Sequence, residues 1–395
     1  MQVYADNAAT TKMNKTAIKA MTETMEQIYG NPSSLHSEGQ KAAKAIASAR
    51  ESIAKHIGCS VKEIYFTSGG SEADNHAIFS AAAIGEKNGK KHIISTAFEH
   101  HAILHTLDRL NERGFEITLL DVHESGVIAA SEVESALRED TCLVTITYAN
   151  NEIGTIQPIA EISKVCKERG VLFHTDAVQA VGYLPLRADE LNIDFMSLSA
   201  HKFHGPKGVG ILYARKGTKL INLIEGGAQE HGKRAGTENV PGIISMAAAF
   251  DEAHDTMEVS IRKVTALRDR LISGLEKIPH SILNGDAKLR LPNNVNFCFE
   301  GIEGESLLLL LDQKGICASS GSACTSGSLD PSHVLLAIGR PHEVAHGSLR
   351  LSLSSETSEQ EVDYIIQSVT DVVERLRNIS PVWRDLTEGK RKHVI

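Results

Sequence analysis

The sequence predicts an α/β protein with a large domain, built on a mostly parallel seven-stranded sheet, and a smaller α+β domain. From residue 63 onward, short apolar runs alternate with segments of helical periodicity, which is typical of a parallel sheet covered by helices on both faces. Polar residues follow several of these runs directly, at the edge where such sheets bind ligands. The length of 395 residues favours one large domain and a second, smaller one.

The predicted elements follow in chain order. A short arm at 1–14 precedes helices at 15–28 and 38–57. The strands of the large sheet are predicted at 64–67, 92–95, 116–120, 142–148, 171–175, 194–199 and 209–214, with helices at 71–88, 100–113, 131–138 and 159–169. A long helix at 241–277 leads to apolar runs at 294–299, 316–318 and 349–353 and helices at 304–314, 332–338 and 358–377. We therefore expect a large domain at 15–260 and a small domain made of 1–14 and 261–395.

Composition excludes several classes of function. The net charge of −9 gives no broad attraction to nucleic acid or to an anionic membrane. The chain has no run of 18 apolar residues and no basic start followed by an apolar run, so we expect neither a membrane span nor a secretory signal. The six cysteines include no Cys-x-x-Cys pair, which favours a reducing, cytoplasmic location over a disulfide framework or a zinc site.

Histidine is frequent, with 18 residues, and this raises the alternative of a metal site. His101 and His105 have the i, i+4 spacing of metal ligands on a helix. No glutamate stands between them as in the His-Glu-x-x-His motif, so metal catalysis is the weaker interpretation.

Lys202 is the strongest candidate for a catalytic residue. The apolar run 195–198 ends at Ser199, and a second apolar run starts at Val209. Lys202 therefore lies in a tight connection between two predicted strands, in partly dry surroundings. A lysine in such surroundings can act as a nucleophilic amine or a general base. The alternative is a surface lysine in a hairpin.

Other polar residues follow the predicted strands, and each has a purely structural alternative. Gly70 and Ser71 open a helix and can bind an anion, unless Ser71 only caps that helix. Asp176 ends an apolar strand, where a carboxylate is costly unless it is paired, and the alternative is a helix N-cap. Arg350 lies within an apolar run, and its planar fork suits a carboxylate, unless it forms an internal ion pair.

A segment of small residues contains a conspicuous cysteine. Residues 319–328 carry no large side chain, so we expect this segment to be mobile, and Cys324 lies in its middle. By contrast, Cys317 stands at the end of a predicted small strand, where we expect it to be dry and unreactive. Residues 226–239 form a second long polar loop, of a length that is usually functional.

Together these pieces resemble the class V aminotransferase group of pyridoxal 5'-phosphate (PLP) enzymes, and within it the cysteine desulfurases of the NifS/IscS type. The resemblance runs from Tyr4-Ala-Asp-Asn-Ala-Ala-Thr-Thr11 to about Trp383. It includes Ser199-Ala-His-Lys202 and the small-residue segment Ser319-Ser-Gly-Ser-Ala-Cys324-Thr-Ser-Gly-Ser328. It implies PLP fold type I, with the cofactor attached to Lys202, and the length of the cysteine segment favours the type that serves iron–sulfur assembly.

The resemblance also implies a role for each matching residue. Gly70 and Ser71 hold the cofactor phosphate, His100 stacks on the pyridine ring and handles a proton, and Asp176 binds the ring nitrogen. Asn151 and Gln179 contact the phenolic oxygen, and Ser199, Ala200 and His201 accompany Lys202 around the cofactor. Asn151 and Arg350 bind the substrate carboxylate, and Thr237 reaches the phosphate of the neighbouring subunit's cofactor, which implies a homodimer. For His100 and Asn151, the residues alone leave a polar cap and an Asn turn as alternatives.

The activity that the resemblance implies is conversion of L-cysteine to L-alanine, with a persulfide left on Cys324. The sulfur then passes to an iron–sulfur scaffold or another acceptor protein. No intrinsic metal is expected, and Cys324 is expected to ligate an iron–sulfur cluster only transiently, with a partner. The alternatives are a selenocysteine lyase or an aminotransferase of the same fold, and a non-catalytic homologue that only binds a scaffold. The basic tail Lys390-Arg-Lys-His393 is expected to be disordered unless it docks a partner.

Overall fold

The computed structural model describes residues 1–320 and 331–395, so Cys324 lies outside the described residues. The strands are β1 Val3–Tyr4, β2 Ile64–Thr67, β3 His92–Thr96, β4 Glu116–Leu120, β5 Thr141–Thr145, β6 Leu172–Asp176, β7 Phe195–Ser199, β8 Gly210–Ala214, β9 Ser281–Leu283, β10 Asn294–Phe299, β11 Ile316–Cys317 and β12 Ser348–Ser352. The helices are α1 Lys15–Gln27, α2 Ser37–Ile57, α3 Gly70–Lys87, α4 His101–Asn111, α5 Ala130–Ala136, α6 Ile159–Glu168, α7 Ala188–Leu191, α8 Gln229–Gly232, α9 Val240–Asp255, α10 Met257–Leu275, α11 Gly304–Gln313, α12 His333–Ala337, α13 His342–Ala345, α14 Glu359–Ile379 and α15 Pro381–Thr387.

Seven strands in the described ranges form the large sheet, in the order β2-β8-β7-β6-β5-β3-β4. The run from β7 to β4 is parallel, whereas β8 is antiparallel to both β7 and β2. Helices cover both faces, which explains why several strands are buried along their whole length and carry no Asp, Glu, Lys or Arg. The predicted α/β fold with a mostly parallel seven-stranded sheet is confirmed.

The connection from β7 to β8 places the lysine of interest. It spans only 200–209, which is too short for the crossover that parallel strands need, so β8 returns antiparallel. The first residue of β8, Gly210, lies opposite both Thr67 and Ser199, at the carboxyl ends of β2 and β7. A Cβ on Gly210 would come within 2.7 Å of the Gly69 main chain. Glycine therefore allows the strand ends and the start of α3 to approach closely.

The helix predicted at 241–277 is two helices, and this part of the prediction is wrong. α9 ends at Asp255 and α10 starts at Met257, with Thr256 between them. The Thr256 N–H and hydroxyl both bond the carbonyl of Glu252, over 3.0 and 2.8 Å. Because Thr256 keeps a helix-like backbone (φ −97°, ψ 0°), the helical periodicity continues through the break and hides it from the sequence.

A second, smaller structural unit is built around β9, β10 and β12. These strands form an antiparallel sheet in the order β12-β10-β9, and β1 pairs in parallel with β11. Apolar side chains of α10, α11 and α14 pack with these strands in their own hydrophobic core. The arm that starts at β1 then continues to Asp6, which bridges to Ser352. In the described ranges, every helix is too short or too polar to cross a membrane.

Candidate active site

A cavity of about 410 Å³ opens where the large sheet's strand ends face β12. Ten of the predicted site residues line it: Gly70, Ser71, His100, Asn151, Asp176, Gln179, Ser199, His201, Lys202 and Arg350. Two others do not. Ala200 is fully buried, and Thr237 is exposed within residues 226–239.

Lys202 lies in a short 3₁₀ turn directly after β7. Its Nζ donates to the carbonyls of Ala8, at 2.6 Å, and Ala9, at 2.8 Å. These residues belong to the arm between β1 and α1, so the lysine connects the sheet to that arm. The side chain lines the cavity and is half-buried, which differs from the surface lysine of the structural alternative.

Asp176 is the last residue of β6 and is 8% exposed. Its Oδ1 accepts from the Val178 N–H at 2.9 Å, and the next helix along the chain starts only at Ala188, so Asp176 is not a helix N-cap. Burial raises the pKa of Asp176 to about 6, against the opposing effects of the Val178 N–H and of Lys202. The carboxylate is therefore suited to a cationic or N–H partner within the cavity.

The start of α3 supplies main-chain donors at the cavity wall. The helix begins at Gly70, and its N-cap residue is Gly69. Ser71 lies in the first turn and is not the cap. A Cβ on Gly70 would lie 2.8 Å from Val178 Cγ2, so only glycine lets the helix start sit this close to the end of β6. The helix has 18 residues, and its N-terminus favours an anion.

His100 caps α4 and lines the cavity. Its Nδ1 accepts from the Ala102 N–H at 3.1 Å, which fixes the ring orientation. Burial, together with the positive charge of Lys202, lowers the pKa of His100 to about 4. The ring is therefore neutral at neutral pH. The neighbouring rings of His101 and His105 lie 5.0 Å apart, and they belong to no three-residue ligand group in the described part of the chain.

Arg350 lies in β12 and is 1% exposed. Its Nη2 donates to Asp6 Oδ1 at 2.9 Å, and its Nη1 donates to the Asn151 carbonyl at 3.2 Å. Its Nε is buried without a hydrogen-bond partner among the described residues. The internal ion pair that the sequence left as an alternative is thus present. The same guanidinium also lines the cavity.

The described residues that flank the segment 321–330 form hydrogen bonds with residues at the cavity. The Ser319 main chain exchanges hydrogen bonds with Arg350 over 3.2 and 2.6 Å. On the other side, the Ser332 hydroxyl donates to the carboxylate of Glu152, and His333 Nε2 lies 2.9 Å from the Glu99 carbonyl. The described residues on both sides of position 324 are therefore held beside the cavity.

Sequence reasoning missed buried carboxylates that line the cavity, namely Asp74, Glu99 and Glu152. Burial raises the pKa of Glu99 to about 8, although it accepts hydrogen bonds from Thr147 and Thr96. Burial also raises the pKa of Asp74, and the nearby Asp176 charge adds to that effect. In the sequence, burial of Glu99 is indicated only by its position directly after Phe98, which is itself buried. An acidic residue near a helix start is usually solvated, so this position alone does not predict burial.

The comparisons with known proteins agree with this geometry. Residues 3–365 match the family model described as aminotransferase class-V. "Cysteine desulfurase IscS" of Clostridium botulinum strain Hall is 50% identical over 394 residues, 99% of each chain. The protein of that name from Methanosarcina thermophila is 53% identical over 380 residues, 96% of this chain and 94% of its own.

Solved structures give the same result. A "NIFS-LIKE PROTEIN" superposes with a TM-score of 0.89 at 39% identity, covering 95% of this chain and 100% of its own. The structure titled "SspA in complex with cysteine" has a TM-score of 0.78 at 36% identity, covering 90% of this chain and 99% of its own. From the family model, the full-length relatives and the shared fold, we conclude that the chain belongs to the aminotransferase class-V family.

Proposed function

We propose that the protein is a PLP-dependent cysteine desulfurase that converts L-cysteine to L-alanine and supplies the sulfur to an acceptor protein. The observation that carries the proposal is the meeting of Lys202, Asp176 and Arg350 in one cavity. The residues on either side of the Cys324 segment are attached to that same cavity, through Ser319 and Ser332. The names of the full-length relatives support the choice of reaction.

The donor set of the cavity fits PLP. The α3 N-terminus, with Gly70 and Ser71, would hold the phosphate, and Asp176 would hold the protonated ring nitrogen. Lys202 would attach the cofactor, and His100 would lie against its ring. When bound, PLP would stabilise negative charge at the α-carbon of the substrate.

Each side chain then has a chemical task. Arg350 binds the α-carboxylate of cysteine through its planar guanidinium, together with Asn151. The amine of Lys202 removes the α-proton as a general base. His100, neutral because burial lowers its pKa to about 4, can accept or donate a proton without first losing a charge.

Sulfur transfer requires Cys324 as a thiolate nucleophile. The thiolate attacks the sulfur of cysteine, forming an S–S bond while the Cβ–S bond breaks. The bonding electron pair stays with carbon, which takes a proton and leaves as the methyl group of alanine. Overall, one cysteine and one protein thiol give one alanine and one protein persulfide, and a thiol of the acceptor takes the outer sulfur.

Thr237 completes the proposal, because it is exposed and does not line the cavity of its own chain. We place it at the phosphate of a second subunit, so that the active enzyme is a homodimer. The acceptor is an iron–sulfur scaffold or another sulfur carrier.

The proposal is tested by incubating purified protein with L-cysteine and measuring alanine and the spectrum of bound PLP. We expect stoichiometric alanine and sulfur, and faster sulfur release when a thiol acceptor is added. A selenocysteine lyase would turn over L-selenocysteine but not L-cysteine. An aminotransferase would release a keto acid, and a non-catalytic homologue would release nothing.

A further inference from the structure

A cluster of metal-ligating side chains lies outside the catalytic cavity, where the C-terminal tail meets the small sheet. We propose that His280, Glu300 and His393 form a binding site for one zinc ion, which fixes this tail to the protein. One ligand atom from each residue lies within 4.8 Å of the other two. It is the only such group in residues 1–320 and 331–395. This inference does not depend on the proposed desulfurase function.

The Glu300 carboxylate is the centre of the cluster. Its side chain is 6% exposed, and its Oε2 lies 2.6 Å from His393 Nδ1 and 3.5 Å from His280 Nδ1. Zinc bonds of about 2.0–2.2 Å in tetrahedral geometry separate neighbouring ligand atoms by roughly 3.4 Å. A small spreading of the three groups would therefore admit the ion. Two imidazoles and a carboxylate form a ligand set that zinc uses. The carbonyl oxygen of Ile395 lies 2.6 Å from His280 Nδ1, so it is placed to fill the fourth position.

The surroundings hold each ligand in place, as at established metal sites. The second oxygen of Glu300, Oε1, accepts from the Val394 N–H at 2.7 Å, which leaves Oε2 facing the histidines. The His280 and His393 rings are stacked with centroids 3.8 Å apart. The edge of Trp383 packs against both rings, at 5.4 and 5.7 Å between centroids.

Arg377 supports the main chain of two ligands. It donates to the carbonyls of Glu300, Pro279 and His280 at 3.0, 2.7 and 2.9 Å. Its guanidinium lies 4.0 Å over the Trp383 ring. These bonds direct the Arg377 donors to main-chain carbonyls. The Glu300 carboxylate therefore faces the histidines.

Zinc would also explain how the tail is ordered against the protein. Residues 390–394 are exposed, yet His393 and Val394 bond Glu300 and Ile395 is half-buried against the large hydrophobic core. The ion would join the segments before β9, after β10 and in the tail.

The first test is zinc titration of the chelator-treated holoenzyme by isothermal calorimetry. We expect one equivalent to bind the parent, and His393→Ala and Glu300→Gln to weaken this binding at least tenfold. His393 is in the tail, so its replacement should not disturb folding. The matched control is His123→Ala, which removes a histidine from an exposed His–Glu pair, with Glu132 at 2.7 Å. Equal zinc affinity in the parent and both ligand variants would overturn the proposal.

A second test reads the position of the tail, which adventitious zinc binding to thiols would not alter. Trypsin should cleave after the exposed Lys390, Arg391 and Lys392. We expect zinc to slow this cleavage severalfold in the parent and in His123→Ala, but not in Glu300→Gln. Unchanged tail cleavage in the parent on zinc addition would contradict the proposed site.

Discussion

Arg350 and Asp6, which are 344 residues apart in the chain, form an ion pair of 2.9 Å at the wall of the candidate active site. Arg350 is almost completely buried, so its charge needs a partner in the folded protein. In the proposed reaction, the carboxylate of cysteine would share this guanidinium with Asp6. The planar fork of arginine can serve two acceptors at once, whereas a lysine ammonium cannot do so with the same geometry.

Replacing Arg350 by lysine should therefore lower kcat/KM for L-cysteine at least tenfold, or about 1.4 kcal/mol, mainly through KM. The charge is retained, so the loss would report the geometry of the fork. A matched control is Arg268→Lys, at a buried arginine that bonds the carbonyls of Arg290 and Leu291 outside the cavity. Parental kcat/KM in Arg350→Lys would contradict substrate binding by this residue.

Lys202→Ala should abolish covalent PLP attachment and reduce alanine formation at least ~100-fold, since a general base contributes at least this much. The fold should persist, with the free energy of unfolding lowered by about 1–2 kcal/mol for two lost hydrogen bonds to Ala8 and Ala9. Borohydride reduction followed by mass spectrometry measures the attachment. Lys207→Ala, five residues along at an exposed site, is the control. Undiminished alanine formation by Lys202→Ala would disprove the assignment.

The shared-site hypothesis predicts complementation between inactive variants. In a mixed dimer of Lys202→Ala and Thr237→Val, both lesions fall in one site and the other site is intact. Alanine formation should therefore recover towards half of the parental rate per dimer. Lys202→Ala mixed with Asp176→Asn is the control, because both residues line the cavity of one chain and every site keeps a lesion. Verified mixed dimers of the first pair that stay as inactive as the control would count against a shared site.

Buried histidines predict a pH dependence of stability. His174 is fully buried between Thr145 and Ser197, and burial lowers its pKa to about 3. A histidine with a lowered folded pKa contributes stability that is present above about pH 6.5 and is lost as the pH falls towards 3. The contribution changes by up to ~1.4 kcal/mol per pH unit. Urea unfolding from pH 7.5 to 5 should therefore show a shallower pH slope for His174→Gln than for the parent. Parallel curves would contradict this account.

Apolar runs and strand-end residues made the large sheet predictable. Strands such as β5 and β7 are buried on both faces, so their sequences contain only apolar and small polar residues and no charged residue. Asp176 ends one such run and Lys202 follows another. Because the carboxyl ends of parallel strands meet at one edge of a sheet, the sequence predicts that these two residues lie close together. The break at Thr256 was missed because a helix-like residue at the junction preserves the periodicity.

Other features depend on contacts between distant segments, which a sequence pattern does not contain. The pairing of Arg350 with Asp6 is one, and the burial of Glu99 is another. Cys317 was predicted to be dry, but it is only half-buried, because β11 is a two-residue strand at the edge of the small unit. The sequence left open whether the tail is disordered or docks a partner, and the contacts of His393 with Glu300 and His280 attach it to its own chain.

Because Cys317 is only half-buried, an experiment must decide whether Cys317 or Cys324 carries the sulfur. Cys317→Ser should retain most of the activity, since the Cys317 carbonyl keeps its bond to the Ala5 N–H at 2.9 Å. Cys324→Ser should keep PLP and bind cysteine, but form no protein persulfide. These variants are the matched pair for the final measurement.

Sulfur transfer to Cys324 can be measured by mass spectrometry of the parent protein after brief exposure to L-cysteine, without added reductant. Because no lysine or arginine lies between Cys317 and Cys324, fragment ions must separate the two cysteines. An added mass of about 32 units, one sulfur atom, is expected in the fragment ions that contain Cys324, and it should be lost when a thiol acceptor is supplied. Added sulfur in the fragment ions that contain Cys317 but not Cys324, together with full activity of Cys324→Ser, would contradict sulfur transfer to Cys324.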